Sequence, residues 1–289
     1  VGYFPSVSAG WNVHQEKWFQ NPVMSKLKIR ASYGELGANF LNPYNFDAIA
    51  YGPIPYTVGG ERYVTGRAAY LKSKDLKWET AKTTDIGIEL GFFNNDLTLS
   101  LDYFVKKNVD LLAQIDLNLS SGQIFEINSS REKPYVNTAS VKNTGWEFMM
   151  NYRKQLTKDF HIDATFNIAT LKNKVLSLGE NVQPITSGAM SSYFNDAASI
   201  TMPGEAIGSF YGYKIDGFDA EGNFIFADMD KNRVVNANDK VILGSPIPDF
   251  TYGLNINMEY KDFDLTVFFQ GVQGLSLIHI SEPTRHAQI

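Results

Sequence analysis

The segment TDIGIELGFFNNDLTLSLDYFV, residues 84–105, contains two strands and the turn that joins them. Bulky side chains fill the even positions from 84 to 92 and the odd positions from 97 to 105, with Phe104 the one large side chain out of phase. Asn94, Asn95 and Asp96 form the polar connection. Alternation with period two over about ten residues predicts strands with one apolar and one polar face. A soluble sheet turns its apolar face into a core, whereas a transmembrane barrel turns it outward to lipid.

The same arrangement recurs along the chain. Paired alternating segments lie at residues 143–170 and 250–272, and a looser pair opens the chain. Each pair is joined by a connection of between two and a dozen residues. The pattern predicts eight long strands, at residues 3–13, 26–36, 83–93, 97–106, 143–154, 159–170, 250–260 and 263–272.

The connections between the pairs are long, at residues 37–82, 107–142 and 171–249. Outer-membrane barrels have short periplasmic turns and long extracellular loops, and compact soluble domains rarely have several connections of this length. We therefore predict an all-β fold, an antiparallel transmembrane β-barrel. Eight strands can close a small barrel, but the long connections favour a fragment of a larger one.

Composition narrows the class of protein. The 289 residues have a net charge of -5. They include no cysteine, which excludes disulfide bonds and cysteine chemistry. Lys and Arg are scattered rather than clustered along the chain, so we expect no nucleic-acid partner. The 15 Tyr and 20 Phe residues fit aromatic girdles at the membrane surfaces, and equally the general preference of strands for aromatic residues.

The last residues depart from the pattern. LSLIHISEPTRHAQI, residues 275–289, shows no strand alternation and is similar to translated sequencing-adapter text. We expect residues 1–274 to form one partial barrel domain and residues 275–289 to be a non-native tail.

Several strings resemble one family in their order and spacing. They are FPSVSAGW at 4–11, LKIRASYG at 27–34, LKWET at 76–80, GFFNN at 91–95, VKNTGWE at 141–147, GSFYGY at 208–213, ILGSPIPDF at 242–250 and FFQG at 268–271. In these strings the chain resembles the SusC/RagA family of TonB-linked outer-membrane transporters.

The resemblance implies a barrel of about 22 strands filled by a plug domain. It also implies import of oligosaccharides or peptides across the outer membrane of a Bacteroidota-type Gram-negative bacterium. The TonB complex would drive import, and a SusD-like surface lipoprotein would act as a lid. The resemblance covers a late part of the barrel, so we expect the plug, the segment that contacts TonB and the final strands to lie outside this chain. Two alternatives are a soluble carbohydrate-binding or adhesive β-sandwich and a passive porin.

The segment DMDKNRVVNAND, residues 228–239, has the spacing of a calcium-binding loop. Side-chain oxygens fall at positions 1, 3, 5, 9 and 12, and position 7 offers a backbone carbonyl. The predicted ligands are Asp228, Asp230, Asn232, Val234, Asn236 and Asp239. Position 6 is Arg233, where such loops normally have Gly, so Arg233 would need an unusual backbone angle. The alternative is a solvated acidic turn. We expect no cofactor beyond a structural calcium ion.

Aromatic residues in the first long connection are candidates for stacking on sugar rings or for contact with the lid: Tyr44, Phe46, Tyr51, Tyr56, Tyr63 and Tyr70. Charged residues on the polar strand faces either line the substrate path or pair with one another: Lys28, Arg30, Asp85, Glu89, Asp102, Glu147, Arg153, Asp163, Glu259 and Asp264. The sequence has no nucleophile, P-loop or zinc-protease motif, and its carboxylates define no glycosidase pair, so we do not expect an enzyme.

Overall fold

The computed structural model describes residues 2–38, 50–68, 76–114, 135–179, 182–189 and 197–276. Within these ranges the chain forms seventeen strands and two 3₁₀ helices, Val13–Gln15 and Ala237–Asp239. The strands are β1 (Ser6–Asn12), β2 (Met24–Ala38), β3 (Ala50–Val58), β4 (Glu61–Ala68), β5 (Glu79–Phe92), β6 (Leu97–Gln114), β7 (Tyr135–Thr157), β8 (Phe160–Thr170), β9 (Lys172–Ser177), β10 (Ile185–Ala189), β11 (Ala197–Thr201), β12 (Ser209–Tyr213), β13 (Ile215–Phe218), β14 (Phe224–Phe226), β15 (Lys240–Gly244), β16 (Phe250–Tyr260) and β17 (Phe263–Gln273). No helix in the described ranges has the length and hydropathy that a membrane span requires.

The eight predicted strands form one antiparallel sheet in the order β1-β2-β5-β6-β7-β8-β16-β17. Each of these eight strands pairs with the next of the eight along the chain, as in an up-and-down barrel wall. The β5–β6 turn uses positive φ angles at Phe93, Asn94 and Asn95, which asparagine tolerates better than most residues. Among the described residues the sheet does not close on itself, because β1 and β17 each pair on one side.

Large apolar side chains share one face of this sheet, which we call the outer face. Ile88 lies opposite Ile29 on one side and Leu101 on the other, and Leu101 lies opposite Phe148. The row continues through Ile168. Residues directly opposite in an antiparallel pair point to the same side, so the apolar rows form a continuous band.

The outer face is uncovered rather than packed as a core. Ile86 is 53% exposed and Trp146 is 51% exposed, whereas the buried hydrophobic residues are few and lie mostly elsewhere: Val13, Ala139, Val141, Val175, Leu178 and Ile200. An exposed apolar band of this extent marks contact with lipid or a partner. The band is unlike the sealed interior of a β-sandwich, in which apolar faces pack against each other.

Several strands are longer than a membrane span on the side of the long connections. β7 has 23 residues, about twice the 9–11 residues that a transmembrane strand needs. β9 continues the line of β8 along β7, with Val175 opposite Val141. Ala139, Val141, Val175 and Leu178 form a small core there, with Leu111 and Val182 packed on it. The extension is therefore an ordered part of the fold.

The predicted strand ends were wrong on this side. The prediction ended β6 at residue 106 instead of Gln114 because Lys106, Lys107 and Asn108 are polar on both faces. A bulge between Asn108 and Leu111 then shifts the alternation. The predicted connection 171–249 also contains β9, a four-stranded sheet (β10-β11-β12-β15) and the hairpin β13–β14.

Candidate functional site

The polar face of the main sheet, which we call the inner face, contains a charged cluster on β2, β5 and β6. Glu89 lies 2.7 Å from Lys26 Nζ, 3.7 Å from Lys28 Nζ and 3.5 Å from Arg30 Nε. Arg30 Nη2 also lies 2.6 Å from Asp102 Oδ1. Opposite charges at this spacing neutralise much of each other's field, so this part of the inner face offers little free charge to a substrate.

Arg30 reaches Asp102 across an intervening strand. Gly87 on β5 lies opposite Arg30 on one side and Asp102 on the other. A Cβ at Gly87 would overlap the Asp102 carboxylate and lie 2.8 Å from Arg30 Nε. Ser100 Oγ donates a 2.9 Å hydrogen bond to the other Asp102 oxygen. Glycine at position 87 thus leaves the space through which the ion pair passes.

Six of the ten charged candidates take part in such pairs. Beyond the cluster described above, Arg153 donates to Asp163 Oδ2 from Nε at 2.8 Å and from Nη2 at 2.7 Å. The others, Asp85, Glu147, Glu259 and Asp264, have no ion pair within the described part of the chain. Pairing therefore accounts for the charges on β2, β5 and β6 better than for those on β16 and β17.

The inner face of β7, β8, β16 and β17 has mostly neutral polar side chains. Thr165 Oγ1 donates to Asn151 Oδ1 at 2.8 Å, and Thr266 Oγ1 donates to Asn257 Oδ1 at 2.9 Å. Asn255 lies opposite Thr165 in the same row. Amide groups both donate and accept hydrogen bonds, so these rows of the inner face can exchange hydrogen bonds with hydroxyl or peptide groups.

Three of the six predicted calcium ligands come together in the loop at 228–239. Carboxylate oxygens of Asp228, Asp230 and Asp239 lie within 4.8 Å of one another. Asp228 accepts hydrogen bonds from the backbone N–H groups of Asn232, at 3.2 Å, and Arg233, at 2.6 Å. These bonds curl the chain around the carboxylates. Each carboxylate has further lone pairs, so the donor set suits a hard cation such as Ca²⁺.

Arg233 has φ +69, the unusual angle for which such loops normally have glycine at this position. Lys231 also has a positive φ, of +60. The other predicted ligands make backbone hydrogen bonds instead. Asn232 Oδ1 accepts from Val234 N at 2.7 Å, and Val234 O accepts from Asn236 Nδ2 at 3.1 Å. Asn236 caps the short helix Ala237–Asp239. The structure therefore has the predicted loop shape and brings the three aspartates together.

Asp239 is the buried member of this group, with no exposed surface. Its Oδ2 accepts from Asn236 N at 2.8 Å, and its Oδ1 accepts from Met229 N at 2.8 Å and from Asp230 N at 3.4 Å. These backbone N–H groups, Asn236 first, hold the pKa of Asp239 below its ordinary value. Asp239 is thus an anion at neutral pH and connects both ends of the loop.

Only three of the six predicted aromatic residues lie in the described part of the chain. Tyr44, Phe46 and Tyr70 lie outside the described residues. Tyr51 and Tyr56 are on β3, and the backbone of Tyr56 lies opposite Tyr63 on β4. Tyr63 is 47% exposed. The hairpin β3–β4 thus brings two of the six positions together.

Sequence reasoning missed a second aromatic group, on the hairpin β13–β14. Phe218 and Phe224 have ring centroids 5.4 Å apart, and Phe226 lies 5.7 Å from Tyr213. The Phe rings are exposed. The signal was present as FIF at residues 224–226 after the turn DAEGN, a short strand following a hairpin turn.

Comparison with known proteins places the chain in a family. The family model described as "TonB dependent receptor-like, beta-barrel" matches residues 2–279. The chain is 34% identical over 295 residues to TonB-dependent receptor P3 of Formosa agariphila, covering 96% of this chain and 28% of that protein. It is 30% identical over 288 residues to the TonB-dependent receptor SusC of Bacteroides thetaiotaomicron, covering 92% of this chain and 27% of that protein.

Solved structures show the same fold. The chain is similar to the RagAB peptide importer in the "open-open" state with a TM-score of 0.76 and 22% identity, covering 95% of this chain and 29% of that one. The chain thus spans less than a third of the length of these relatives. The match to the family model covers all of the described sheet, and the chain belongs to the TonB-dependent receptor β-barrel family, with SusC as a relative.

Proposed function

We propose that the chain is part of an outer-membrane importer that takes up oligosaccharides or peptides with energy from the TonB complex. One observation carries this proposal: the main sheet has a continuous exposed apolar outer face and an ion-paired or amide-lined inner face. This is the arrangement of a membrane barrel with a polar lumen. It supports an outer-membrane location over the soluble β-sandwich.

The partner and the substrate class rest on the relatives. One relative is named SusC and another is a RagAB peptide importer. We propose a SusD-like surface lipoprotein as partner of this protein too. The neutral amides of the inner face support either substrate class, since sugar hydroxyls and peptide groups both exchange hydrogen bonds with amides.

Uptake by the source bacterium tests the proposal. Three strains are compared: the wild type, a deletion of the full-length gene and the deletion with the gene restored. Each is given a panel of labelled oligosaccharides and peptides, with and without a protonophore. We expect the deletion strain to lose uptake of one class, and the protonophore to stop uptake in the restored strain. Uptake that survives the protonophore would indicate a passive porin instead, and a protein recovered in the soluble fraction would contradict the membrane assignment.

We further propose that the loop at 228–239 binds calcium and has a structural role. The support is the convergence of three carboxylates and the left-handed backbone at Arg233. Terbium luminescence on the purified full-length protein tests this. Asp228→Asn should weaken terbium binding at least about tenfold, because it removes one of three charged ligands. Asp219→Asn is the matched control, since Asp219 forms a similar turn through Asn223 without a carboxylate cluster. Equal binding by both variants would contradict the site.

A further inference from the structure

A row of lysines crosses four adjacent strands near the long-connection side of the sheet. Lys82 on β5 lies opposite Lys107 on β6, Lys107 lies opposite Lys142 on β7, and Lys142 lies opposite Lys174 on β9. Residues directly opposite in antiparallel strands have Cβ atoms about 4.5–5.5 Å apart. We call Lys107, Lys142 and Lys174 the lysine ladder.

The lysine ladder lies on the outer face. Lys107 is four residues from Tyr103 and Lys142 is four residues from Trp146, and residues an even number apart on a strand share a face. Tyr103 and Trp146 contact each other with ring centroids 4.7 Å apart. On the opposite side of the same sheet segment Val141 is 4% exposed and Val175 is fully buried. The ladder thus projects outward from a well-packed wall.

The ladder is not neutralised by the protein. Lys82, at its β5 end, is paired with Glu35 at 3.1 Å, but the three ladder lysines have no ion pair among the described residues. Like charges directly opposite each other destabilise a sheet. The chain as a whole has a net charge of -5, so the ladder is not one part of a generally basic surface. An anion from outside the described protein would remove this repulsion.

The ladder lies at the depth of lipid headgroups. Tyr and Trp mark the boundary of the hydrocarbon layer in membrane barrels. Four residues along a strand from Trp146 to Lys142 span about 13 Å, which is about 10 Å along the membrane normal at a strand tilt of about 40°. The headgroup region extends roughly 5–8 Å beyond the hydrocarbon. Flexible lysine side chains reach back over the remaining distance.

We propose that the lysine ladder binds the phosphate-bearing headgroup of an anionic lipid in the outer leaflet of the membrane. This inference rests on the outer-membrane location proposed above, with the long connections outside the cell. Lysine binds phosphate as a point charge, and a row of basic residues at the membrane surface is a recurring way to bind anionic lipid. Three lysines in register match a headgroup with one or two phosphate groups.

Lipid binding is measured by native mass spectrometry of the full-length protein in neutral detergent, titrated with purified diphosphorylated lipid A. The ladder variant is K107Q/K142Q/K174Q. The matched control K17Q/K106Q/K158Q removes the same charge from an exposed short connection, from the inner face and from the β7–β8 turn. Each basic residue near an anionic surface contributes about a fivefold factor. We therefore expect the ladder variant to bind roughly 100-fold more weakly, and the control to bind within about twofold of the wild type.

Two further arms make the result decisive. A charge-preserving variant, K107R/K142R/K174R, should retain binding even where the glutamine variant folds poorly. Inorganic phosphate at the same phosphate concentration should not displace lipid A, since it has no acyl chains in the detergent layer. Four outcomes would each overturn the proposal. The ladder variant could bind lipid A as tightly as the wild type, or the control could lose as much affinity as the ladder variant. The arginine variant could lose lipid A binding, or inorganic phosphate could displace lipid A fully. Unchanged uptake in the deletion strain, together with intact lipid binding, would instead count against the proposed import function alone.

Discussion

Replacing Gly87 with alanine should break the ion pair that crosses β5. A Cβ at this position would overlap the Asp102 carboxylate and lie 2.8 Å from Arg30 Nε. One or both side chains must move, and the 2.6 Å contact between Arg30 Nη2 and Asp102 Oδ1 is lost. The substitution leaves the backbone free to keep its strand conformation, so the cost measures the ion pair.

The size of the effect follows from the surroundings of the two partners. Hydrogen bonds to charged groups contribute about 1.5–3 kcal/mol. The Arg30 side chain is 40% exposed and the Asp102 side chain 11%, so solvent screens the guanidinium and the upper part of that range does not apply. Asp102 also keeps its bond from Ser100. We expect Gly87→Ala to lower the free energy of unfolding by about 1–2 kcal/mol.

Chemical unfolding of the full-length protein in detergent, followed by tryptophan fluorescence, measures this change. Gly10→Ala is the control, because Gly10 lies opposite Arg30 on β1 and its added Cβ would make two ordinary contacts, with Lys28 Cε at 3.5 Å and with the Ile29 backbone oxygen at 4.0 Å. Gly87→Ala should cost less in an Asp102→Asn background, since the two changes remove the same interaction. A wild-type unfolding midpoint for Gly87→Ala, or an equal cost in both backgrounds, would refute the reasoning.

Three other predictions follow from the same structure. Leu99→Arg, on the outer face, should cost about 2–4 kcal/mol at mid-membrane, whereas Thr98→Arg, on the inner face, should fold normally. The yield of heat-modifiable protein in the membrane fraction compares them. Folding lowers the pKa of Asp239, so its negative charge stabilises the loop at neutral pH. This stabilisation is lost as the pH falls below the ordinary aspartate pKa of about 3.9 and through the lowered value. Proteolysis of the loop should therefore rise only at such acidic pH, and Asp239→Asn should abolish this pH dependence. Glu79→Ala removes the 2.8 Å bond from Leu112 N to Glu79 Oε1 at the β6 bulge, which should speed amide exchange at Leu112 by an amount equivalent to about 1–2 kcal/mol.

The strands of the main sheet could be predicted because the pattern that identifies each one lies within its own short stretch of sequence. Alternation with period two and a polar turn such as Asn94–Asn95 place each strand and its face without knowledge of its neighbours. The alternation disappears where the strands leave the membrane, since both faces there are polar or packed by protein. The bulge near Leu111 then shifts its phase.

The candidate sites depended on non-local information. Lys107 and Lys174 are 67 residues apart in the sequence, and they become members of one row only through the register of β6, β7 and β9. A register shift of one residue would move a strand's side chains to the inner face. In the acidic loop, spacing predicted the curled backbone, but whether an asparagine such as Asn232 binds a cation or a backbone N–H is decided by side-chain rotation.

The orientation of the main sheet is the central claim, and a cysteine scan along β6 tests it most directly. The chain has no cysteine, so single cysteines from Leu97 to Val105 can be spin-labelled in the full-length protein once any others outside this chain are replaced. Collision with oxygen, which concentrates in lipid, is compared with collision with a water-soluble nickel chelate. We predict that labels at the odd positions collide more with oxygen than with the nickel chelate, and that labels at the even positions do not. Odd positions shielded from both reagents, as in the core of a sandwich, or the absence of any alternation, would contradict the account.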